Sequence, residues 1–255
     1  MSPYSAVQGN CFRTFLPRPE AQVRLVCFPG AGSGANLFRR WLDVLPPSIE
    51  LVVAQYPGHE DRHKEAFIPD MAELAEEIGR DVSSIQAPMA FFGHSLGATI
   101  AFEVALRLRP RFPLPVVRLF TSARKAPIDC HPTGHAFMGD AEMKRAYFRI
   151  LTEAEMPMED ELWRAMELAI RNDLLLSDRY HYVAGSRLTC PITAIIAEQD
   201  ESALSLAEVQ RWADCTIVDF DSHALPGRHR YWLDDPPTLI SFIEEKLRSF
   251  LRAGA

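Results

Sequence analysis

The chain has 255 residues, 47% of them hydrophobic and 24% charged, which suits one large core and leaves too little length for two comfortable domains. A formal net charge of −7 argues against a general nucleic-acid surface, and no run approaches the roughly 18 apolar residues of a membrane span. The five cysteines (11, 27, 130, 190 and 215) are odd in number and lack C-x-x-C spacing. They predict neither a disulfide framework nor a zinc site, and they fit a reducing cytosol. The opening stretch "MSPYSAVQGNCFRTFLPRPEAQ" has no apolar core of the kind a signal peptide needs, so a cytoplasmic location is expected.

In chain order, strand and helix signals alternate. "VRLVCFPG" (23–30) reads as a buried strand stopped by Pro29-Gly30, and "ANLFRRWLDVL" (35–45) as a helix. "IELVVAQYPG" (49–58) is a second strand and "MAELAEEIGRDV" (71–82) a second helix. "APMAFF" (87–92) is a short buried strand that runs into Gly93-His94-Ser95-Leu96-Gly97, and "LGATIAFEVALRL" (96–108) follows at helical spacing. "PVVRLFTSA" (115–123) and "CPITAIIAEQD" (190–200) read as strands, "SLAEVQRWADC" (205–215) as a helix, "TIVDFD" (216–221) as a strand and "TLISFIEEKLRSF" (238–250) as a closing helix. Apolar strands alternating with helices predict an α/β fold with a mostly parallel sheet covered on both faces. Residues 129–187 break the rhythm. They contain no strand signal and two or three helical ones, and they are expected to form a helical lid inserted at the sheet's edge within a single 1–255 domain.

The G-x-S-x-G at 93–97 carries the chemistry. In a nucleophile elbow a sharp strand-to-helix turn strains the serine and projects its hydroxyl, while glycines two positions either side avoid collision. Ser95 is the expected nucleophile. A serine hydroxyl needs a base, and the base an orienting acid, which in the α/β-hydrolase order follow as Asp or Glu and then His. "DSHALPGRHRYWLDDPP" offers two bases. His229, past a Pro-Gly break, is preferred to His223, which lies two residues beyond the expected strand. Asp200, at the end of "ITAIIAEQD", is the preferred acid, with Asp129 the alternative and Glu198 too early. His94 is expected to pack, and the remaining histidines to sit in loops or the lid. For the oxyanion, the backbone N–H groups of Leu96 and of Ala31 in "FPGAGSGA" (28–35) are the expected donors. That glycine-rich loop lacks both G-x-G-x-x-G and a P-loop Lys-Ser/Thr, so no nucleotide site is expected.

Taken together these motifs resemble the type II thioesterases, the stand-alone editing hydrolases of nonribosomal peptide and polyketide synthesis. "LVCFPGAGSGANLFRRW", "AQYPGHEDR", "FFGHSLGATIAFEVALRL", "LAIRNDLLLSDRYHY", "LTCPITAIIAEQD" and "LPGRHRYWL" carry the likeness over nearly the whole chain. Within the family the chain is similar to thioesterases of siderophore clusters such as that of yersiniabactin. There are departures from the family pattern. Gly30 stands where histidine is frequent, Arg228 where glycine precedes the histidine, and His59 where arginine is common. The resemblance implies hydrolysis of acyl or aminoacyl thioesters on the phosphopantetheine arm of carrier proteins, with no cofactor of the enzyme's own. It implies acyl-loaded carriers as partners, and neither nucleic acid nor membrane. A general esterase or acyltransferase with the same residues, or a silent binding module on the same fold, are the competing readings.

Overall fold

The computed structural model describes residues 10–83, 85, 87–108, 116–151, 160–200 and 204–252. Seven strands form one sheet: β1 (Phe12–Arg13), β2 (Val23–Phe28), β3 (Ile49–Ala54), β4 (Met89–His94), β5 (Val116–Ser122), β6 (Ile192–Ala197) and β7 (Phe220–Leu225). Their spatial order is β1-β3-β2-β4-β5-β6-β7, with only β1 antiparallel. Every residue of β2, β3, β4 and β6 is buried. That is why these strands read as continuous apolar runs: helices cover both faces, so neither face calls for polar residues.

Alternate residues feed two cores. Val26, Phe28, Val52 and Phe91 point to one face, where α1 (Met71–Val82) and α2 (Leu96–Leu108) pack. Leu25, Cys27, Val53 and Phe92 point to the other. There Trp41 and α7 (Pro236–Arg252) close the layer, the helix burying Leu239, Ile240, Ile243 and Leu247 at helical spacing. Asp70 caps α1 by accepting the Glu73 N–H at 2.9 Å.

The structure corrects three expectations. The 35–45 helix is a 3₁₀ helix over Ala35–Asp43. The 205–215 helix is one α-turn, α5 (Leu206–Val209), continued as a 3₁₀ turn to Cys215. The strand expected at 216–221 runs instead over Phe220–Leu225, and Thr216 makes only an isolated bridge to Leu188. β7 lies at the sheet's edge and is half-exposed, so its sequence FDSHAL lacks an apolar run, while the apolar Ile217 and Val218 just before it are exposed. His223 therefore lies within the strand itself.

Between β5 and β6 lie α3 (Asp140–Leu151) and α4 (Asp160–Arg179). Residues 152–159 of the expected lid fall outside the described residues. β5 and β6 are direct neighbours in the sheet, so this excursion leaves and re-enters the sheet's interior rather than extending its side.

Candidate active site

The elbow follows from the sequence. Ser95 has φ +51°, left-handed backbone for a residue with a side chain. Its N–H donates to the Ser122 carbonyl at 2.8 Å, which fixes the turn against β5. A Cβ at position 93 would lie 2.4 Å from the Ala98 Cα, and one at 97 would lie 2.0 Å from the Phe28 carbonyl oxygen. Both neighbours are backbone and cannot give way, so glycine is required twice. α2 begins at Leu96, immediately after the serine.

His229 and Asp200 come together from two loops. His229 Nδ1 lies 2.8 Å from Asp200 Oδ2, and the carboxylate side chain is 4% exposed. The loops are clipped to each other. The Gln199 N–H donates to the Gly227 carbonyl at 2.9 Å, and the Gly227 N–H to Gln199 Oε1 at 2.7 Å. Gly227 has φ +110°. Behind His229, α6 (Tyr231–Asp234) is anchored by the Trp41 indole N–H, which donates to the Trp232 carbonyl at 2.8 Å. The buried His94 ring sits edge-on to His229, with centroids 4.7 Å apart, and its Nδ1 lies 2.9 Å from the Ser122 hydroxyl. Burial, aided by the neighbouring His229, pushes the His94 pKa well below the ordinary histidine value.

Ser95 and His229 face one cavity of about 760 Å³, together with the loop at 30–34. Leu37, Phe67, Met166, Ala169 and Leu174 supply apolar wall. The loop is gripped at several of its peptides. Tyr56 Oη donates to the Pro29 carbonyl at 3.1 Å, Tyr147 Oη to the Ala31 carbonyl at 3.0 Å, and the Gly32 N–H donates to Asp173 Oδ2 at 2.7 Å. The Gly30 carbonyl accepts from the Ser33 N–H at 3.0 Å. In a trans peptide the N–H points opposite to the C=O, so the Ala31 N–H is directed away from that turn.

The alternatives sit elsewhere. His223 contacts Asp221 at 3.0 Å and Lys246 at 2.9 Å, its ring against Phe242. Asp129 pairs with Arg211 at 3.7 Å on the surface. Glu198 is exposed beside Gln199. Sequence reasoning missed His59, which it assigned to a loop, and Asp173. His59 is 3% exposed and its Nε2 lies 2.9 Å from Asp173 Oδ2. One sequence signal for Asp173 existed. It falls on the buried stripe of α4 with Trp163, Ile170 and Leu176, where an apolar residue is the default.

With this geometry in view, the comparisons with known proteins are decisive. The thioesterase domain family matches residues 23–247. The chain belongs to that family. It is a thioesterase, a hydrolase of thioesters on an α/β-hydrolase fold. Thioesterase PikA5 of Streptomyces venezuelae is 34% identical over 96% of this chain and 88% of its own length. The solved type II thioesterase BorB, from the borrelidin biosynthetic cluster, is 29% identical over 96% of this thioesterase and 98% of its own chain, with a TM-score of 0.81. The solved YbtT, from the yersiniabactin pathway, has a TM-score of 0.82 over 95% of this thioesterase and all of its own chain, but at 20% identity it shows the fold alone. Among the described residues no helix is long and apolar enough to cross a membrane.

Proposed function

We propose that this thioesterase clears acyl or aminoacyl groups from the phosphopantetheine arms of carrier proteins, with Ser95 as nucleophile, His229 as base and Asp200 as the acid that orients it. The observation that carries the reading is the His229–Asp200 contact at 2.8 Å, on a carboxylate removed from water, facing the same cavity as a serine on strained backbone. An ionised carboxylate only accepts, so Nδ1 bears the hydrogen and Nε2 is left with a lone pair for the serine. His229 Nε2 takes the Ser95 proton as Oγ attacks the thioester carbonyl. The Ala31 and Leu96 N–H groups hold the resulting oxyanion. The C–S bond then breaks, the thiolate takes the proton from His229, and an acyl-enzyme remains. Water, deprotonated by His229, attacks the acyl-enzyme, the C–Oγ bond breaks, and the proton returns to Ser95. Among the described residues the Ser95 hydroxyl makes no hydrogen bond. Such contacts commonly close only when substrate is bound.

α3 and α4 act in this reading as a lid whose apolar lining receives the acyl group, while the bulky carrier stays outside. BorB, at 29% identity, is described as a type II thioesterase from a biosynthetic cluster, which supports carrier-bound substrates for this chain as well. Five free cysteines suit a reducing cytoplasm. The test is release of acyl groups from loaded carrier proteins compared with free acyl thioesters and simple oxygen esters. Higher kcat/KM on the carrier-bound form is expected. A preference for simple esters would turn the assignment toward a general esterase.

A further inference from the structure

Where α4 meets the loop after β2, one buried carboxylate gathers two partners. Asp173 Oδ2 accepts the Gly32 N–H at 2.7 Å and lies 2.9 Å from His59 Nε2. The other imidazole nitrogen of His59, Nδ1, is 3.0 Å from the Pro57 carbonyl. A carbonyl and a carboxylate both only accept, so both ring nitrogens bear hydrogens and His59 is an imidazolium. The pair is nearly sealed, with side chains 3% and 7% exposed.

The place it grips is specific. The Ala31 carbonyl and the Gly32 N–H belong to one peptide group. Tyr147 of α3 holds its oxygen and Asp173 of α4 holds its nitrogen. Gly32 is left-handed at φ +67°, and a Cβ there would sit 2.3 Å from Ile170 Cγ1. A peptide plane held at both ends cannot rotate, and the preceding N–H is that of Ala31. A leucine at 173 would continue the apolar stripe of α4, and replacing buried ion pairs by apolar residues is often neutral or stabilising. Stability alone is a poor reason for this carboxylate.

We infer that Asp173, held in place by His59, is a positioning residue that aims the Ala31 N–H at the reacting carbonyl, so that the oxyanion site is complete only while α4 is seated on the loop. This rests on the reading of Ala31 as an oxyanion donor. It implies that the helical excursion contributes to the transition state as well as to substrate access.

Asp173→Leu, Asp173→Asn and Tyr147→Phe separate the possibilities. Three quantities are measured on each purified full-length variant: kcat and KM on a short acyl thioester of N-acetylcysteamine, Ki for the matching trifluoromethyl ketone, whose serine adduct carries an oxyanion, and Kd for the unreactive thioether. For Asp173→Leu we expect kcat to fall roughly 30-fold or more, approaching the roughly 10²–10³-fold cost of losing an oxyanion donor outright, since the Ala31 N–H is misaimed and not removed. The ketone should weaken by the same factor, and KM and the thioether Kd should change less than about twofold, because only transition-state contacts move kcat in this way. Asp173→Asn keeps an acceptor for Gly32 and should recover most of the rate. Tyr147→Phe, which removes one hydroxyl from the same peptide, should show the same pattern more weakly and guards against a folding failure of Asp173→Leu. Unchanged kcat in Asp173→Leu, or equal weakening of ketone and thioether in that variant, would overturn the inference while leaving the oxyanion reading intact. A wild-type enzyme that binds ketone no better than thioether would overturn both.

Discussion

At the residue scale, the proposed roles make separable predictions. Ser95→Ala removes one oxygen from a turn whose strain is carried by the backbone, so the fold should survive while turnover falls by roughly 10⁴-fold or more. A serine-directed fluorophosphonate should label the wild-type protein once, at Ser95, and leave the variant unlabelled. His229→Ala should be comparably severe and His223→Ala close to silent in kcat/KM, because His223 is engaged by Asp221 and Lys246 on the far edge of the sheet. A reversal of the two would move the base to β7. Asp200→Asn should cost more than Asp129→Asn, whose side chain pairs with Arg211 at the surface. His94 adds an acid-side effect. Burial holds it neutral in the folded protein, so the unfolded chain takes up a proton that the folded one refuses as pH falls below about 6.5. Stability should therefore drop on that limb in thermal melts, and less so in His94→Gln.

At the scale of elements, legibility tracked burial and sequence distance. β2, β3, β4 and β6 are covered on both faces, so composition alone marks them. The elbow was readable because its two glycines are local requirements of one turn. β7 was misplaced because an edge strand mixes polar and apolar residues, and β1 was missed because two residues carry no period. The 3₁₀ character of Ala35–Asp43 was invisible since amphipathic spacing over nine residues looks alike in either helix. The His59–Asp173 contact joins positions 114 apart, and each half is ordinary on its own. For the lid, Ala169 gives the sharpest test: it is 7% exposed in α4 and lines the cavity. Ala169→Trp should fill the acyl side and lower kcat/KM on carrier-bound long acyl groups by at least tenfold, a typical penalty for overfilling a packed site. A small activated ester should be affected much less. Equal losses on both substrates would mean damage to the elbow instead of to access.

At the scale of the whole molecule, the His59–Asp173 ion pair joins α4 to the sheet body, and its protonation makes that union depend on pH. Burial alone would lower the His59 pKa. The Asp173 charge and hydrogen bond, with the Pro57 carbonyl, outweigh it and raise the pKa above the ordinary histidine value. The groups packed around the pair do not reverse this. Burial and the Asp173 charge push Tyr56 and Tyr147 upward, so both stay neutral, and Glu60 adds negative charge that favours the imidazolium. A group whose folded pKa is raised contributes its full stability below the unfolded value, near 6.5, and loses it as pH climbs through the folded value. Between those limits the folded protein binds the extra proton. Above them His59 is neutral, one of its nitrogens faces an acceptor without a hydrogen, and Asp173 is left as a buried charge. Melting temperature should therefore fall on the alkaline side of neutrality in the wild-type protein. His59→Ala removes the cation outright and leaves Asp173 without its partner over the whole alkaline range, which should cost about 3–5 kcal/mol there, the usual penalty for breaking a sealed pair. Its melting temperature should be low and nearly flat over the same alkaline range. A wild-type profile as flat as the variant's would show that the pair does not change protonation there and that the union of α4 with the body does not depend on pH in that range.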